Sequence, residues 1–400
     1  MNRLMATNNR RPVSDSGVVS PRVVVKVGTR LLAGPTGRLN RDYIESLVKQ
    51  LTDLHRKGNE VILVSSGAIG AGMGRLGMER RPGSIPEKQA VAAVGQGLLV
   101  QTYEKLFSVH GLTVAQVLLT RMDLVNRRRY INARNTICCL LNWGVIPVIN
   151  ENDTVSVEEI KFGDNDQLSA LVAGLIDARL LVILTNIDGF YSSNPRKDPG
   201  ARLIPVVDEI TPQLKSYAGL SGDDLATGGM ITKLLAAEIA TNSGIGVYIA
   251  DGTAPDILGR IISGEQVGTY FIPQKHYLSH RKRWIAFGQV VKGSVTIDKG
   301  AERALCREGK SLLPVGVIEV DGSFETGDLI SMLDMEGAEL GRGLTNFSSS
   351  ELTRIKKHSS SDISDILGEG DEPEEVIHRD NMVIYGRVPE RRGKDASRGY

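Results

Sequence analysis

Val145-Ile146-Pro147-Val148-Ile149-Asn150-Glu151-Asn152-Asp153 decides how this chain reads. The run as far as Ile149 has the length and β-branching of a buried strand, and it discharges into carboxamide and carboxylate side chains. Soon afterwards comes Gly163-Asp164-Asn165-Asp166. Ligands of open α/β sheets bind outside the carboxyl ends of strands, so Asn150, Glu151, Asn152, Asp153, Asn165 and Asp166, with Asp164 beside them, mark a candidate site. The cluster has few positive charges of its own and needs a cationic counterpart: an ammonium, a lysine or Mg²⁺. The competing reading is a solvated loop with helix-capping side chains, because Asp164 to Asp166 precede a good helix.

Upstream, Val23-Val24-Val25-Lys26-Val27-Gly28-Thr29 is a β-branched strand, apolar on both faces except at Lys26. Asn40 caps a helix with Ile44, Leu47, Val48, Leu51 and Leu54 on one face, and Gly58 stops it. A strand from Val61 to Val64 opens into Ser65-Ser66-Gly67-Ala68-Ile69-Gly70. Two further helices, about Glu87 to His110 and Asn126 to Asn142, end at Gly111 and Gly144, with a strand between them. Downstream, a helix from Gln167 to Asp177 is followed by a strand from Leu180 to Leu184 and the turn Thr185-Asn186-Ile187-Asp188-Gly189. Thr227-Gly228-Gly229-Met230 then leads into a helix, and Val247 to Ala250 forms another strand.

Strands alternating with amphipathic helices imply a three-layer α/β/α sandwich with a mainly parallel sheet, over residues 21–275. After a polar linker, 276–291, the pattern changes to short strands with turns at Asp321-Gly322 and Gly327-Asp328, which indicate a small β-barrel-like domain over 292–372. Residues 1–20 read as a tail, and 373–400 as a C-terminal extension and tail.

Composition narrows the function classes. With 400 residues, 41% hydrophobic, 24% charged and a net charge of +1, the chain is a globular protein with no global electrostatic pull toward nucleic acid or anionic membrane. It has no apolar run of the ~18 residues that a membrane span needs. The first 20 residues lack the hydrophobic core of a secretory signal, so a cytoplasmic location is expected. Cys138 and Cys139 are helical neighbours pointing about 100° apart, and with Cys306 they fit neither a disulfide framework nor a zinc box. Scattered histidines and the absence of His-Glu-x-x-His or a serine triad argue against zinc and hydrolytic chemistry.

Three motif matches fail on context. Gly72-Met73-Gly74-Arg75-Leu76-Gly77 fits the dinucleotide fingerprint but lacks the acidic residue that should close the next strand. Gly309-Lys310-Ser311 resembles a P-loop end, but Ala304 stands where the first glycine belongs. His378-Arg379-Asp380 resembles a protein-kinase catalytic loop, but Tyr385 replaces the required Asn.

The glycine-rich segments at strand ends are better candidates. Glycine lets backbone N–H groups approach phosphate oxygens, and a helix N-terminus adds about half a positive charge, so Thr227-Gly228-Gly229-Met230 is a phosphate cradle. Lys26 interrupts a buried strand, where an unpaired ammonium is costly, so it should face an anion at the strand's end. Lys233, one turn past Met230, could reach the same anion from the other side.

Together, Lys26-Val27-Gly28-Thr29, Ser65-Ser66-Gly67-Ala68-Ile69, Pro147 to Asp153, Gly163 to Asp166 and Thr227-Gly228-Gly229-Met230-Ile231-Thr232-Lys233 resemble the amino acid kinase family, in particular its branch that makes γ-glutamyl phosphate. The C-terminal stretch Ser311 to Gly316 through Phe324 to Asp328 resembles a PUA domain. The resemblance implies transfer of the γ-phosphoryl group of ATP to the side-chain carboxylate of L-glutamate, with Mg²⁺. It implies Lys26, Lys233 and Asp166 at the catalytic centre, Asp166 holding the two lysines, and Ser66, Asp153 and Asn165 on glutamate. It places the nucleotide on Lys26, Thr185, Asn186, Thr227, Gly228, Gly229, Met230, Ile231, Thr232 and Lys233. Position 186 departs from the family pattern, which has Asp there. Proline as a feedback inhibitor and a homo-oligomer, tetramer or dimer, are also implied. RNA binding by the PUA-like domain has Arg281-Lys282-Arg283-Trp284 in its favour, but Ser361 to Asp380 holds eight acidic residues and would repel phosphates. Assembly or regulation is the favoured role.

Overall fold

The computed structural model describes residues 20–33, 38–155, 165–195, 197–219, 229–274, 291–368 and 373–385. The chain divides into two compact units, Met1–Leu278 and Ser279–Tyr400.

The first unit runs β1 (Arg22–Val27), α1 (Thr29–Leu32), α2 (Arg41–Arg56), β2 (Glu60–Ser65), α3 (Ala68–Leu76), α4 (Ile85–Val109), β3 (Val114–Leu119), α5 (Arg121–Val125), α6 (Arg127–Asn142) and β4 (Ile146–Glu151). It continues with α7 (Asn165–Leu175), β5 (Leu180–Thr185), β6 (Phe190–Tyr191), β7 (Leu203–Ile204), β8 (Val206–Val207), α8 (Pro212–Gly219), α9 (Met230–Thr241), β9 (Gly246–Asp251), α10 (Ile257–Ile262) and β10 (Thr269–Phe271). Eight strands form one sheet in the order β3-β4-β2-β1-β5-β9-β10-β8, parallel except where β10 meets β9. β6 and β7 pair as a separate antiparallel ribbon.

Local chemistry places the helices. The Asn40 side chain accepts from the Tyr43 N–H at the start of α2, and Gly58 beyond its end has φ +93°. α4 opens with a capping box in which Ser84 accepts from the Glu87 N–H and the Glu87 carboxylate accepts from the Ser84 N–H. β1 is central, in register with β2 and β5 so that Lys26 stands opposite Val64 and Ile183. Its Val23, Val25 and Val27 join the core formed with Ile44, Leu47 and Leu51 of α2. Strand alternation therefore turns Val24 and Lys26 to the other face.

The second unit has a five-stranded sheet: β11 (Gly293–Ile297), β12 (Val317–Gly322), β13 (Leu329–Leu333), β14 (Glu339–Leu344) and β15 (Met382–Ile384), in the order β12-β11-β13-β14-β15. Val295, Ile297, Phe324, Ile330, Met332 and Phe347 fill its core. The sequence reading ends this domain at residue 372. The sheet takes in β15, and Val376 and Ile377 are fully buried, because the chain returns to pair Ile377 with Leu312 and β15 with β14.

Candidate active site

The lone charge in β1 has an anion. Lys26 Nζ lies 2.6 Å from Asp166 Oδ1, and Lys233 donates from Nζ to Asp166 Oδ2 at 3.0 Å. Asp166 is the second residue of α7, and Lys233 stands in the first turns of α9, so three distant segments converge on one carboxylate. All three side chains are buried. Thr232 Oγ1 sits 2.9 Å from Asp166 Oδ2 and 2.8 Å from the Gly229 carbonyl, with one proton to give. Burial alone would raise the Asp166 pKa; the two ammonium groups outweigh it and bring the pKa down to about 2. The carboxylate is therefore ionised at neutral pH, and two ammonium groups less one carboxylate leave a single net positive charge.

Beside this ionic cluster, Asn165, the residue before Asp166, begins a chain of amides. Its Nδ2 donates to Ser66 Oγ at 2.9 Å and to Asn150 Oδ1 at 2.8 Å. Asn150 Oδ1 also accepts from the Glu151 backbone N–H at 2.9 Å, and Asn150 Nδ2 donates to Gln96 Oε1 of α4 at 2.8 Å. Ser66 is held by its own N–H, which donates to the Val27 carbonyl at 3.2 Å. Gly67 follows with φ +97°, a left-handed turn that sends the chain straight into α3 and that a side chain would strain. Behind the loop, the Ser65 and Tyr103 hydroxyls lie 2.9 Å apart.

A model of the amino acid kinase family matches residues 21–251. The chain belongs to the amino acid kinase family. A PUA domain model matches residues 293–367. A curated glutamate 5-kinase from Moorella thermoacetica is 51% identical over 91% of this chain and 96% of its own length. One from Caldanaerobacter subterraneus is 51% identical over 92% and 98%. Among solved structures, a UMP kinase from Ureaplasma parvum aligns over 64% of this chain and 100% of its own, at 13% identity and a TM-score of 0.45.

In this amino acid kinase the structure brings some of the residues expected at the site together and places others apart. Lys26, Asp166, Thr232 and Lys233 form the ionic cluster, and Ser66 and Asn165 join the amide chain beside it. Asp153 is half-buried on the turn that follows β4, three residues past Asn150. Thr185 ends β5 and Asn186 follows it, with Thr185 Oγ1 donating to Asn186 Oδ1 at 3.5 Å. Gly229 caps α9 with an extended backbone, and Met230 and Ile231 fill the first turn. Thr227, Gly228, Gly163, Asp164 and the Arg281 to Trp284 run lie outside the described residues. Gln96 and Tyr103 were not singled out by the sequence; one polar residue on a long helix carries no local signal, and only their hydrogen bonds to Asn150 and Ser65 reveal them.

The glycine run that mimics a dinucleotide fingerprint has a packing role. Gly72 lies within α3, and a Cβ there would overlap the Val91 carbonyl of α4; at Gly95 of α4 it would overlap the Ala68 carbonyl of α3. The two helices touch backbone to backbone, which fixes the start of α3 and with it the Ser66-Gly67 turn.

Proposed function

We propose that the chain acts as an ATP-dependent glutamate 5-kinase, moving the γ-phosphoryl group of ATP onto the side-chain carboxylate of L-glutamate to give L-glutamyl 5-phosphate, the first step of proline biosynthesis. The observation that carries this reading is the convergence of Lys26 and Lys233 on Asp166 beside an amide-lined turn, in a chain half identical over nearly its whole length to curated glutamate 5-kinases.

The chemistry suits such a site. A side-chain carboxylate with a pKa of about 4.3 is already ionised at pH 7, so the nucleophile needs no general base. The protein must align two mutually repelling anions and compensate charge on the group in transit. Lys26 and Lys233 supply that compensation from opposite sides of Asp166. Asp166 is the positioning residue that fixes both ammonium groups before the reaction begins, so little reorganisation is needed as charge moves. The first turn of α9, with Thr227 to Thr232, takes the phosphates, and Thr185 and Asn186 take the nucleoside. Ser66, Asp153 and Asn165 hold glutamate; Asp153 accepts from the ammonium, and the Ser66 hydroxyl with the Gly67 N–H donates to a carboxylate.

Among the described residues no group of three acidic or histidine side chains could cage a metal ion. Mg²⁺, which commonly keeps several water ligands and binds through substrate phosphates, would supply charge compensation to the nucleotide; no protein ligand is assigned. Among the described residues no helix is long and apolar enough to cross a membrane. A cytoplasmic homo-oligomer, dimer or tetramer, inhibited by proline, with the PUA unit serving assembly or regulation, completes the reading.

The test is ADP release over a panel of glutamate, aspartate, acetylglutamate, carbamate and uridine monophosphate, with hydroxylamine trapping of acyl phosphates. Glutamate-dependent hydroxamate is expected. ADP release with another acceptor and none with glutamate refutes the assignment.

A further inference from the structure

The amide chain beside the ionic cluster has a fixed polarity. A backbone N–H can only donate, so the bond from Glu151 N–H makes the receiving atom of Asn150 its Oδ1. The Asn150 Nδ2 must then face Gln96, and the Gln96 atom that accepts from it must be Oε1. Asn165, which also meets Asn150 Oδ1, must present Nδ2 there. Each amide is thus oriented by a bond it makes, and each end of the chain has one polar atom left over: Gln96 Nε2, a donor, and Asn165 Oδ1, an acceptor. Both are buried and have no hydrogen-bond partner among the described residues. A buried polar group without a partner costs about 1–3 kcal/mol, so two in one chain need an explanation, and a bound ligand is the most direct.

The order along the chain says which part of a ligand belongs at which end. Asn165 adjoins Asp166 and the two lysines, where the phosphoryl group is transferred. Gln96 lies two amides farther along, joined to Asn165 through Asn150. Its free group is an N–H, which suits an anion that does not react.

We infer that Gln96 is a substrate-binding, specificity-determining residue: with Oε1 committed to Asn150, its Nε2 donates to the α-carboxylate of the bound amino acid. This rests on the proposed glutamate 5-kinase reading. Gln96 makes the site demand an α-carboxylate, while the Ser66 hydroxyl donates to the side-chain carboxylate beside the lysines and Asn165 Oδ1 accepts from the substrate ammonium. The interaction is the same before and during phosphoryl transfer, so its loss raises the glutamate KM and spares kcat.

The experiment compares the full-length chain with Gln96→Met and Gln96→Glu on two acceptors: L-glutamate, and 4-aminobutyrate, which keeps the reacting carboxylate and the amine but lacks the α-carboxylate. Wild-type enzyme should strongly prefer glutamate. Gln96→Met should raise the glutamate KM about tenfold or more, the size expected for a hydrogen bond to a charged group, and leave the ATP KM and kcat within about twofold. Its kcat/KM for 4-aminobutyrate should change by less than about twofold, so that discrimination collapses through glutamate alone. Gln96→Glu keeps the acceptor for Asn150 but sets a carboxylate against a carboxylate, and should lose more on glutamate than the methionine variant. Equal losses on both acceptors in Gln96→Met would make Gln96 merely structural and overturn the inference, as would a Gln96→Glu enzyme with a normal glutamate KM. If wild-type enzyme gives no glutamate-dependent hydroxamate, the functional reading itself has failed, which the variants do not affect.

Discussion

Two neighbouring residues at the head of α7 open two kinds of site. Asp166 anchors an ionic cluster of three charged side chains, and Asn165 anchors a chain of neutral amides. Both are buried, both depend on segments far apart in sequence, and they share the first turn of one helix. The difference is in what each must do. Charge in transit on a phosphoryl group is best met by fixed opposite charge, which the lysines provide at little reorganisation cost. An amino acid whose two carboxylates and ammonium do not change on binding needs orientation, and amides give direction without adding a net charge that another anion nearby would feel. Substitutions on the Asp166 side should therefore lower kcat, and those on the Asn165 side should raise KM.

The sharpest way to break that division is Asp166→Asn. It leaves two buried ammonium groups without their carboxylate, and loss of one partner from a buried charge pair destabilises by about 3–5 kcal/mol. Urea unfolding should show a loss of that size, with activity below detection. The pH dependence carries the sign. The folded-state pKa of Asp166 is depressed to about 2, so its contribution is fully present above the ordinary value near 3.8 and is lost as pH falls through about 2. The stability advantage of wild type over Asp166→Asn should hold from neutral pH to about pH 4 and shrink below it. An advantage that disappears between pH 5 and 7 would mean that the carboxylate is not held by the lysines.

Lys233→Ala should come next. It removes one ammonium and leaves Lys26 paired with Asp166, so the fold survives while compensation of the moving charge is halved. A fall in kcat of about 100-fold or more with a modest change in glutamate KM is expected. Near-normal kcat in steady-state assays would take Lys233 out of the mechanism.

Asp153→Asn tests the other side. If its carboxylate accepts from the substrate ammonium, the amide variant keeps the shape and loses the charge, which should raise the glutamate KM about tenfold and leave ATP behaviour unchanged. Unchanged KM for both substrates would remove Asp153 from the amino acid pocket.

How much of this could be read from the sequence depended on how local the signal was. Asn40, the apolar face of α2 and Gly58 announced that helix because caps and periodicity act within a few residues. Lys26 could be read because a charge amid the four valines of a buried strand must have a partner. That the partner is Asp166, 140 residues away, was legible only through the family resemblance, since nothing near Lys26 names it. Strands of two or three residues, β6, β7, β8, β10 and β15, were missed because they are too short to show a period. The Gly72 run lacks the sequence context of a dinucleotide motif, and the backbone contact it makes with α4 exists only once two helices cross.

That crossing gives the smallest predicted effect and the finest test of the comparison. Gly95 presses on the Ala68 carbonyl, in the first turn of α3, one residue after Gly67 and next to Gln96. A methyl group at Gly95 meets backbone on its far side, so it can be accommodated only by moving the helices apart, at a cost of about 1–3 kcal/mol. The displacement bears on Ser66, Gly67 and Gln96, all on the amide side, while Lys26, Asp166 and Lys233 are carried by β1, α7 and α9. Gly95→Ala should therefore lower the unfolding midpoint and raise the glutamate KM several-fold, with kcat at saturating glutamate and the ATP KM close to wild type. A variant that lost kcat in proportion to stability would show that the two halves of the site share one support, and the division between charge and orientation would have to be given up.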